Sequence, residues 1–386
     1  MIYLDNSATT PLDPHVAEAM QPYLGERFGN ASSIYSLGRE AHLALEDSRS
    51  TVASAIGADP SEIIFTSSGT EANNHAIKGV IFSRLKSGTT AGELSMVTSP
   101  LEHHAVLEPA AFLESLGVKI HRIAATKDGR IDPASIDFQN AKNVTLASFM
   151  LVNNEVGSIN DLSAIGQAIR INSPTTVLHC DAVQALGKID INVRELDVEL
   201  LSISGHKIHA PKGIGALFIK RGIKIEPLHH GGAQERNRRG GTENVALAVG
   251  FAEAVRQMQL SAARSKAHLR ALHEYSFAKL SALPEIIFNS PTDETGVDGI
   301  INISFVPDVL SRLDGEALLI QFDLEGIALS NGSACTSGSI QPSHVLLAMG
   351  KGTEIASKSL RISFSRFTDT QAIDKFIELL RKIIGA

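Results

Sequence analysis

The chain has 386 residues, of which 43% are hydrophobic and 20% charged, and its formal net charge at pH 7 is -7. At roughly 100–200 residues per domain, this length predicts two or three compact units. An acidic chain without a basic, aromatic-rich run lacks the basic face of a nucleic-acid-binding protein. Its two cysteines, Cys180 and Cys335, are too few for a disulfide framework or a zinc site built on cysteine pairs, and they fit a reducing compartment.

The first residues, MIYLDNSATT, contain neither the positively charged start nor the apolar stretch of a signal peptide. No apolar run reaches the roughly 18 residues that a membrane-spanning helix needs. The HExxH spacing of a zinc-binding helix is absent from the sequence. We therefore expect a cytoplasmic protein with no metal site and no affinity for membranes or nucleic acids.

From about residue 50 to 225, short apolar runs alternate with Gly- or Asn-rich turns and helical stretches. This alternation predicts βα units on a mostly parallel sheet flanked by helices. Ligands of such sheets bind at the carboxyl ends of the strands. We therefore expect the polar residues that follow each apolar run to converge on one crevice.

Two of these turns precede helical stretches. FTSSGTEANN places Gly69 and Thr70 after a strand, where the backbone N–H groups of a helix start could bind an anion; the alternative is a simple N-cap at Thr70. SPLEHHAVLEP places His103 near another helix start, where a flat imidazole could stack on an aromatic ligand. The alternative for this histidine is a surface or N-cap role.

Three further turns carry polar groups. Asn154 follows the run in MLVNNEVG, where turn chemistry is the alternative reading. Asp181 and Gln184 follow the run in LHCDAVQALG. That carboxylate could orient a histidine, bind a metal, pair with a protonated ring nitrogen or cap a helix. LSISGHK ends in Lys207, which is either a solvated turn residue or a group placed for chemistry.

The composition changes after about residue 250, where FAEAVRQMQLSAARSKAHLRALHEYSFAKLSAL predicts a long helix. The segments GIINISF and SLRISFS predict shorter strands. The last stretch predicts an amphipathic helix whose apolar stripe comprises Ile373, Phe376, Ile377, Leu380 and Ile384. We predict a large domain over residues 15–255 and a smaller α+β domain formed by residues 1–14 and 256–386.

The two cysteines differ in their surroundings. Cys180 lies in the apolar run TVLHCDA and is expected to be an inert core residue. Cys335 lies among small residues in ALSNGSACTSGSIQPS, a composition that cannot pack a core. An exposed thiol on such a loop suits a nucleophile or a redox sensor.

Together these residues meet the requirements of one cofactor, pyridoxal phosphate. It needs a lysine for a Schiff base, a carboxylate beside its pyridine nitrogen, a flat group over the ring and an anion site for its phosphate. Lys207, Asp181, His103 and the Ser/Thr-rich turns supply these four features, each after a predicted strand. On this interpretation Ser204 and His206 face the phosphate.

The same segments resemble the cysteine desulfurases, which are fold-type I pyridoxal-phosphate enzymes of the class-V aminotransferase group. The resemblance extends over nearly the whole chain, in the family's order. Its motifs are YLDNSATTP, FTSSGTEANN, LEHHAV, VNNEVG, HCDAVQALGK, SGHKIHAPKGIGALFI, HGGAQERNRRGGTENV, SNGSACTSGSIQPSHVLLAMG and LRISFSRFT. The SACTS loop resembles the nitrogenase-type and iron–sulfur-cluster-type subgroup. The resemblance implies a seven-stranded sheet of mostly parallel strands in the large domain.

The resemblance also implies a role for each site residue. Lys207 carries the cofactor and transfers protons, Asp181 pairs with the pyridinium nitrogen, and His103 stacks on the ring and acts in catalysis as a proton relay. Gln184 is implied to hydrogen-bond the ring phenolate, with Asn154 near it and the substrate. The residues implied to bind the phosphate are Gly69, Thr70, Ser204, His206 and, from the other subunit of a homodimer, Thr242.

For the substrate, L-cysteine, the resemblance implies that Arg361 pairs with the carboxylate through its planar fork. Cys335 then takes the sulfur as a persulfide, and L-alanine is released. The persulfide is passed to acceptors for iron–sulfur cluster assembly and other pathways. Two alternatives stay open at this point: a selenocysteine or cystine lyase on the same scaffold, and a sulfur-carrying partner that has lost catalysis.

Overall fold

The computed structural model describes residues 1–136, 144–331 and 341–385. Its helices are Pro14–Leu24 (α1), Ser36–Ala55 (α2), Gly69–Lys86 (α3), His104–Ser115 (α4), Leu162–Asn172 (α5), Gln234–Asn237 (α6), Val245–Ser281 (α7), Pro307–Leu310 (α8), Gly315–Leu324 (α9), His344–Ala348 (α10), Thr353–Lys358 (α11) and Thr370–Ile384 (α12). Its strands are Ile2–Tyr3 (β1), Ile63–Thr66 (β2), Ser95–Thr98 (β3), Lys119–Arg122 (β4), Leu146–Met150 (β5), Val177–Asp181 (β6), Leu200–Ser204 (β7), Gly215–Ile219 (β8), Ile286–Phe288 (β9), Ile300–Phe305 (β10), Ile327–Ala328 (β11) and Leu360–Ser363 (β12).

A seven-stranded sheet forms the centre of the fold, with the strand order β2-β8-β7-β6-β5-β3-β4. Strand β8 is antiparallel to both of its neighbours, and all other neighbouring strands of the sheet are parallel. Six strands therefore point their carboxyl ends to the same edge. The predicted mostly parallel sheet is confirmed.

Both faces of this sheet are covered by helices, which is why every strand except the edge strand β4 is buried along its whole length. Successive residues of β5 show the two faces. Leu146 belongs to one apolar cluster, together with residues of α3 and α4. Ala147 and Phe149 belong to another, which includes residues of α2, α5 and α7.

A third apolar cluster surrounds two smaller sheets, an antiparallel one with the order β12-β10-β9 and a parallel pair of β1 and β11. The predicted stripe along α12 is buried in it. The cluster also contains Leu4, so the first residues of the chain pack beside its last third. The predicted boundary at 255–256 falls within the continuous helix α7, and the division into two domains stays a prediction.

In the described ranges no helix combines the length with the apolar character that crossing a bilayer requires. Cys180 is fully buried in β6, as expected of a core residue. Cys335 lies outside the described residues.

Candidate active site

A cavity of about 590 Å³ opens at the carboxyl edge of the seven-stranded sheet. Chain segments that follow five of its parallel strands reach it. It is lined by ten of the residues that the sequence singled out: Gly69, Thr70, His103, Asn154, Asp181, Gln184, Ser204, His206, Lys207 and Arg361. The predicted convergence is therefore observed for this set.

Lys207 ends a short 3-10 turn that follows β7. Its ammonium Nζ donates to two backbone carbonyls of the N-terminal segment, at 2.5 Å from the oxygen of Ser7 and 2.8 Å from that of Ala8. Burial lowers the pKa of this amine from 10.5 to about 7, and the positive charges of Arg361 and Lys188 add to the effect. Near neutral pH much of the amine is therefore uncharged and able to act as a nucleophile.

The N-terminal segment is tied to this turn by more than the lysine. The backbone N–H and the hydroxyl of Thr10 both donate to the carbonyl of His206, at 3.0 and 2.9 Å. The same hydroxyl accepts from the N–H of His209 at 2.8 Å. Ser7 and Ala8 therefore line the same cavity as His206 and Lys207, almost 200 positions away in the chain.

Asp181 is the last residue of β6, and it is 5% exposed. Its Oδ1 accepts from the N–H of Val183 at 3.0 Å, and its Oδ2 accepts from the side-chain amide of Asn73 at 2.6 Å. Both carboxylate oxygens therefore have a donor, and the carboxylate is fixed in the cavity wall.

His103 is the N-cap of α4, and it also lines the cavity; its stacking on an aromatic ligand stays a prediction. Its Nδ1 accepts from the N–H of Ala105 at 3.0 Å. A neutral ring in this arrangement carries its proton on Nε2. Burial lowers the pKa of His103, while the charge of Asp181 opposes the shift.

The start of α3 forms one end of the cavity. The backbone N–H groups of a helix start can bind an anion. A Cβ on Gly69 would lie 2.7 Å from Cγ2 of Val183 and 3.3 Å from Cβ of Ser204, so only glycine lets the helix start lie this close. Ser204 is 1% exposed, and its hydroxyl has no hydrogen-bond partner in the described part of the chain. The helix is capped by Ser68, which accepts from the N–H of Glu71, rather than by Thr70.

His206 lies beside this anion site, with Nδ1 3.1 Å from the hydroxyl of Thr9. Burial lowers the pKa of His206 to about 4, and the charges of Lys207 and Lys212 contribute. The ring is therefore neutral at physiological pH. A neutral ring can offer an anion a hydrogen bond but no positive charge.

Gln184 connects the N-terminal segment to a second lysine. Its amide nitrogen donates to the carbonyl of Ser7 at 2.8 Å, and its Oε1 accepts from Nζ of Lys188 at 3.0 Å. Lys188 also donates to the backbone carbonyl of Gln184 at 3.0 Å. The ammonium group of Lys188 can only donate, so the amide oxygen of Gln184 must face it. The NH₂ group of Gln184 therefore faces the N-terminal segment.

Arg361 lies in β12 and is 4% exposed. Its Nη2 donates to the carboxylate of Asp5 at 2.7 Å, and its Nη1 donates to the carbonyl of Asn154 at 2.9 Å. The side-chain Oδ1 of Asn154 has no hydrogen-bond partner among the residues described. The guanidinium is held in a fixed orientation at the cavity, where a planar fork can bind a carboxylate.

Among the predicted site residues that the structure describes, Thr242 is not brought into this cavity. Thr242 is exposed, and it lines a separate cavity of about 210 Å³ beside Arg239 and Glu243. Its predicted role, which involves another subunit, stays a prediction. The segment that holds Cys335 is not among the described residues. Within the described ranges, no group of three His, Cys, Asp or Glu side chains is arranged to hold a metal ion.

Among the neighbours of the site that the sequence reasoning missed are Ser7, Ala8, Asn73 and Lys188. Asn73 and Lys188 lie inside the motifs FTSSGTEANN and HCDAVQALGK, and their spacing from Thr70 and Gln184 was a usable signal. Ser7 and Ala8 act through backbone carbonyls, which leave no residue-type signal.

Comparison with known proteins assigns this fold and site to a family. The class-V aminotransferase family model matches residues 2–376. The cysteine desulfurase IscS of Dictyoglomus turgidum is 42% identical over 384 residues, covering 99% of this chain and 94% of the relative. The chain belongs to the cysteine desulfurases of the class-V aminotransferase family. Another family member, IscS of Methanosarcina thermophila, is 40% identical, with 99% and 92% of the two chains covered.

Solved structures of the family have the same fold. A NifS-like protein superposes with a TM-score of 0.90 at 32% identity, covering 100% of this chain and 99% of the other. SspA, solved in complex with cysteine, superposes with a TM-score of 0.81 at 31% identity, covering 96% and 100%. The predicted membership of the cysteine desulfurases and the fold-type I architecture are confirmed.

The position of Lys188 in this family member leads to a test of the electrostatics. Replacing it by methionine removes a positive charge that disfavours the protonated form of Lys207. We therefore expect Lys188→Met to raise the pKa of the Lys207 amine, so that the amine stays protonated to higher pH. The pH dependence of labelling by an amine-directed reagent, read by peptide mass mapping, measures this shift. Lys188→Arg keeps the charge and should leave the midpoint near 7; an equal shift in both variants would contradict the electrostatic explanation.

Proposed function

We propose that the protein is a pyridoxal-phosphate-dependent cysteine desulfurase that converts L-cysteine to L-alanine and transfers the sulfur to Cys335 as a persulfide. The observation that carries this proposal is the single cavity in which Lys207, Asp181, His103 and Arg361 meet. Its relatives' names and the family model support the same activity.

The cavity fits pyridoxal phosphate on the evidence of its own side chains. The hydroxyl of Ser204 and the Oδ1 of Asn154 are buried without partners in the described structure, and Gly69 lets the start of α3 lie close to Ser204. Lys207 would hold the cofactor covalently, Asp181 would face its ring nitrogen, and His103 its ring. When bound, the cofactor supplies a ring that withdraws electrons from the carbon atoms of the substrate.

The chain's residues would bind the substrate and move protons around it. Arg361 would bind the carboxylate of L-cysteine and align its sulfur, while the lowered pKa of Lys207 lets its amine accept and return a proton near neutral pH. The thiolate of Cys335 forms a bond to the substrate sulfur as the carbon–sulfur bond breaks. The electron pair stays with the carbon, which takes up a proton and leaves as alanine, so no external oxidant is needed.

The destination of the sulfur and the subunit arrangement follow from the same proposal. The persulfide is passed to a sulfur acceptor, such as a scaffold protein for iron–sulfur clusters, and Thr242 reaches the phosphate site of a second subunit. The active protein is then a cytoplasmic homodimer. Thr242 is exposed in the single chain, as a contact with another copy requires.

Incubation of the cofactor-loaded protein with L-cysteine tests the proposal. We expect one alanine per sulfur released, and a mass increase of one sulfur atom on the peptide that contains Cys335. Turnover of selenocysteine and cystine should be measured in parallel. Preference for either over L-cysteine, without a persulfide on Cys335, would favour a lyase; stoichiometric cofactor without alanine would favour a non-catalytic sulfur carrier.

A further inference from the structure

We propose that Asn73 is a positioning residue that holds the Asp181 carboxylate in its working orientation. This inference rests on the proposed function, because it assigns a group that acts through Asp181 on the cofactor ring. The sequence reasoning gave Asn73 no role, although it lies in the FTSSGTEANN motif.

The geometry of the pair is that of a charge-assisted hydrogen bond. Asn73 lies in the second turn of α3 and is 1% exposed, and its Nδ2 is 2.6 Å from Oδ2 of Asp181. An ionised carboxylate only accepts hydrogen bonds, so the NH₂ end of the amide must face it. The Oδ1 of Asn73 has no hydrogen-bond partner within the described ranges. The side chain of Asn73 therefore makes its hydrogen bond through the NH₂ group.

Of the two donors to the Asp181 carboxylate, Asn73 is the one that comes from outside the loop of Asp181. The N–H of Val183 holds Oδ1, but it belongs to the same loop and moves with the carboxylate. Asn73 lies 108 positions away on a helix that packs against the sheet. It therefore fixes the carboxylate relative to α3, whose first turn forms the proposed phosphate site. One helix would then position both the phosphate and the partner of the ring nitrogen.

The other ionisable groups near Asp181 do not replace this donor. Glu102 is fully buried, and burial together with the charge of Asp181 raises its pKa to about 8, so it is neutral at pH 7. Burial also raises the pKa of the Cys180 thiol well above 9. The lowered pKa of His103 keeps its ring mostly neutral at pH 7, and Lys207, with a pKa of about 7, is only partly protonated there. Asp181 is therefore paired with a neutral amide donor, Asn73, and not with a permanently charged cation.

Two variants of Asn73 and one control test the proposal. Asn73→Leu keeps most of the volume and removes the donor. Asn73→Asp keeps the shape but places a second carboxyl group against the first, so that the pair must share a proton. Asn74→Leu is the matched control, because the adjacent amide donates at 3.0 Å to the carbonyl of Thr70 instead of contacting Asp181.

The measurements are the dissociation constant of pyridoxal phosphate and the pH dependence of its visible absorption on the protein. We expect Asn73→Leu to weaken binding by about tenfold or more, the usual scale for losing a hydrogen bond to a charged group. Asn73→Asp should add a titration step, above the ordinary carboxyl pKa, that the unmodified protein and Asn74→Leu lack. A role in packing alone would lower thermal stability without adding this step.

The result that would overturn the proposal is an Asn73→Asp protein that titrates like the unmodified one, together with Asn73→Leu of unchanged cofactor affinity. Its failure is distinguishable from failure of the proposed function. If the unmodified protein takes up cofactor and forms alanine while these variants behave normally, only the role of Asn73 is wrong. If the unmodified protein takes up no cofactor, the proposed function itself is wrong.

Discussion

Lys207→Ala protein is expected to fold, to form no Schiff base with pyridoxal phosphate and to release no measurable alanine from L-cysteine. The side chain lies in the cavity with its amine 2.5 Å from the carbonyl of Ser7, and its lowered pKa makes it the nucleophilic amine of the site. If Lys207 holds the cofactor as proposed, its loss removes both the covalent attachment and a proton carrier, so the expected effect is complete. The measurements are the visible absorption of the purified protein and the alanine released.

Lys212→Ala is the matched control, because Lys212 is an exposed lysine of the same connection between β7 and β8. It should bind cofactor and turn over like the unmodified protein. A Lys207→Ala protein that still formed the visible band would mean that another amine holds the cofactor. Lys188 would then be the first to examine, because it too has a lowered pKa, of about 8, caused mainly by burial.

Cys335→Ala protein should keep the cofactor absorption and bind L-cysteine, but form no persulfide and pass no sulfur to an acceptor protein. The reason is that the cavity contains the groups proposed to hold cofactor and substrate, whereas the described residues include no other cysteine than Cys180. That thiol is fully buried, and burial raises its pKa, so it cannot substitute as a nucleophile. Mass spectrometry of the protein after incubation with L-cysteine measures the persulfide.

Cys180→Ala is the control for the loss of a thiol. It should form the persulfide normally and lose some stability, because it removes a buried sulfur atom from the apolar cluster around β6. Persulfide transfer that survives in Cys335→Ala would show the assignment of the sulfur acceptor to be wrong.

Much of the candidate site could be predicted because parallel strands impose a simple rule. Asp181, Lys207 and Asn154 each follow an apolar run, and strands that point the same way bring such residues to one edge. Chain order alone therefore indicated which residues would meet. The motif set added residue roles that spacing could not supply.

The contacts between distant segments could not be predicted in this way. The carbonyls of Ser7 and Ala8 reach Lys207 only because the first residues of the chain pack beside its last third, a tertiary event without a periodic signal. Asn73 faces Asp181 because of the rotation of α3 against the sheet, which its sequence does not specify. The reversal of β8 depends on the short connection after Lys207, which the sequence presents only as a glycine-rich turn.

In the proposed function, one cavity holds pyridoxal phosphate through the amine of Lys207. Reduction of the cofactor-loaded protein with borohydride, followed by peptide mass mapping, tests it most directly, because reduction makes the attachment permanent. We predict a single pyridoxyl group on the peptide that contains Lys207. A label on Lys188 or another lysine, or no label on a protein saturated with the cofactor, would contradict the claim.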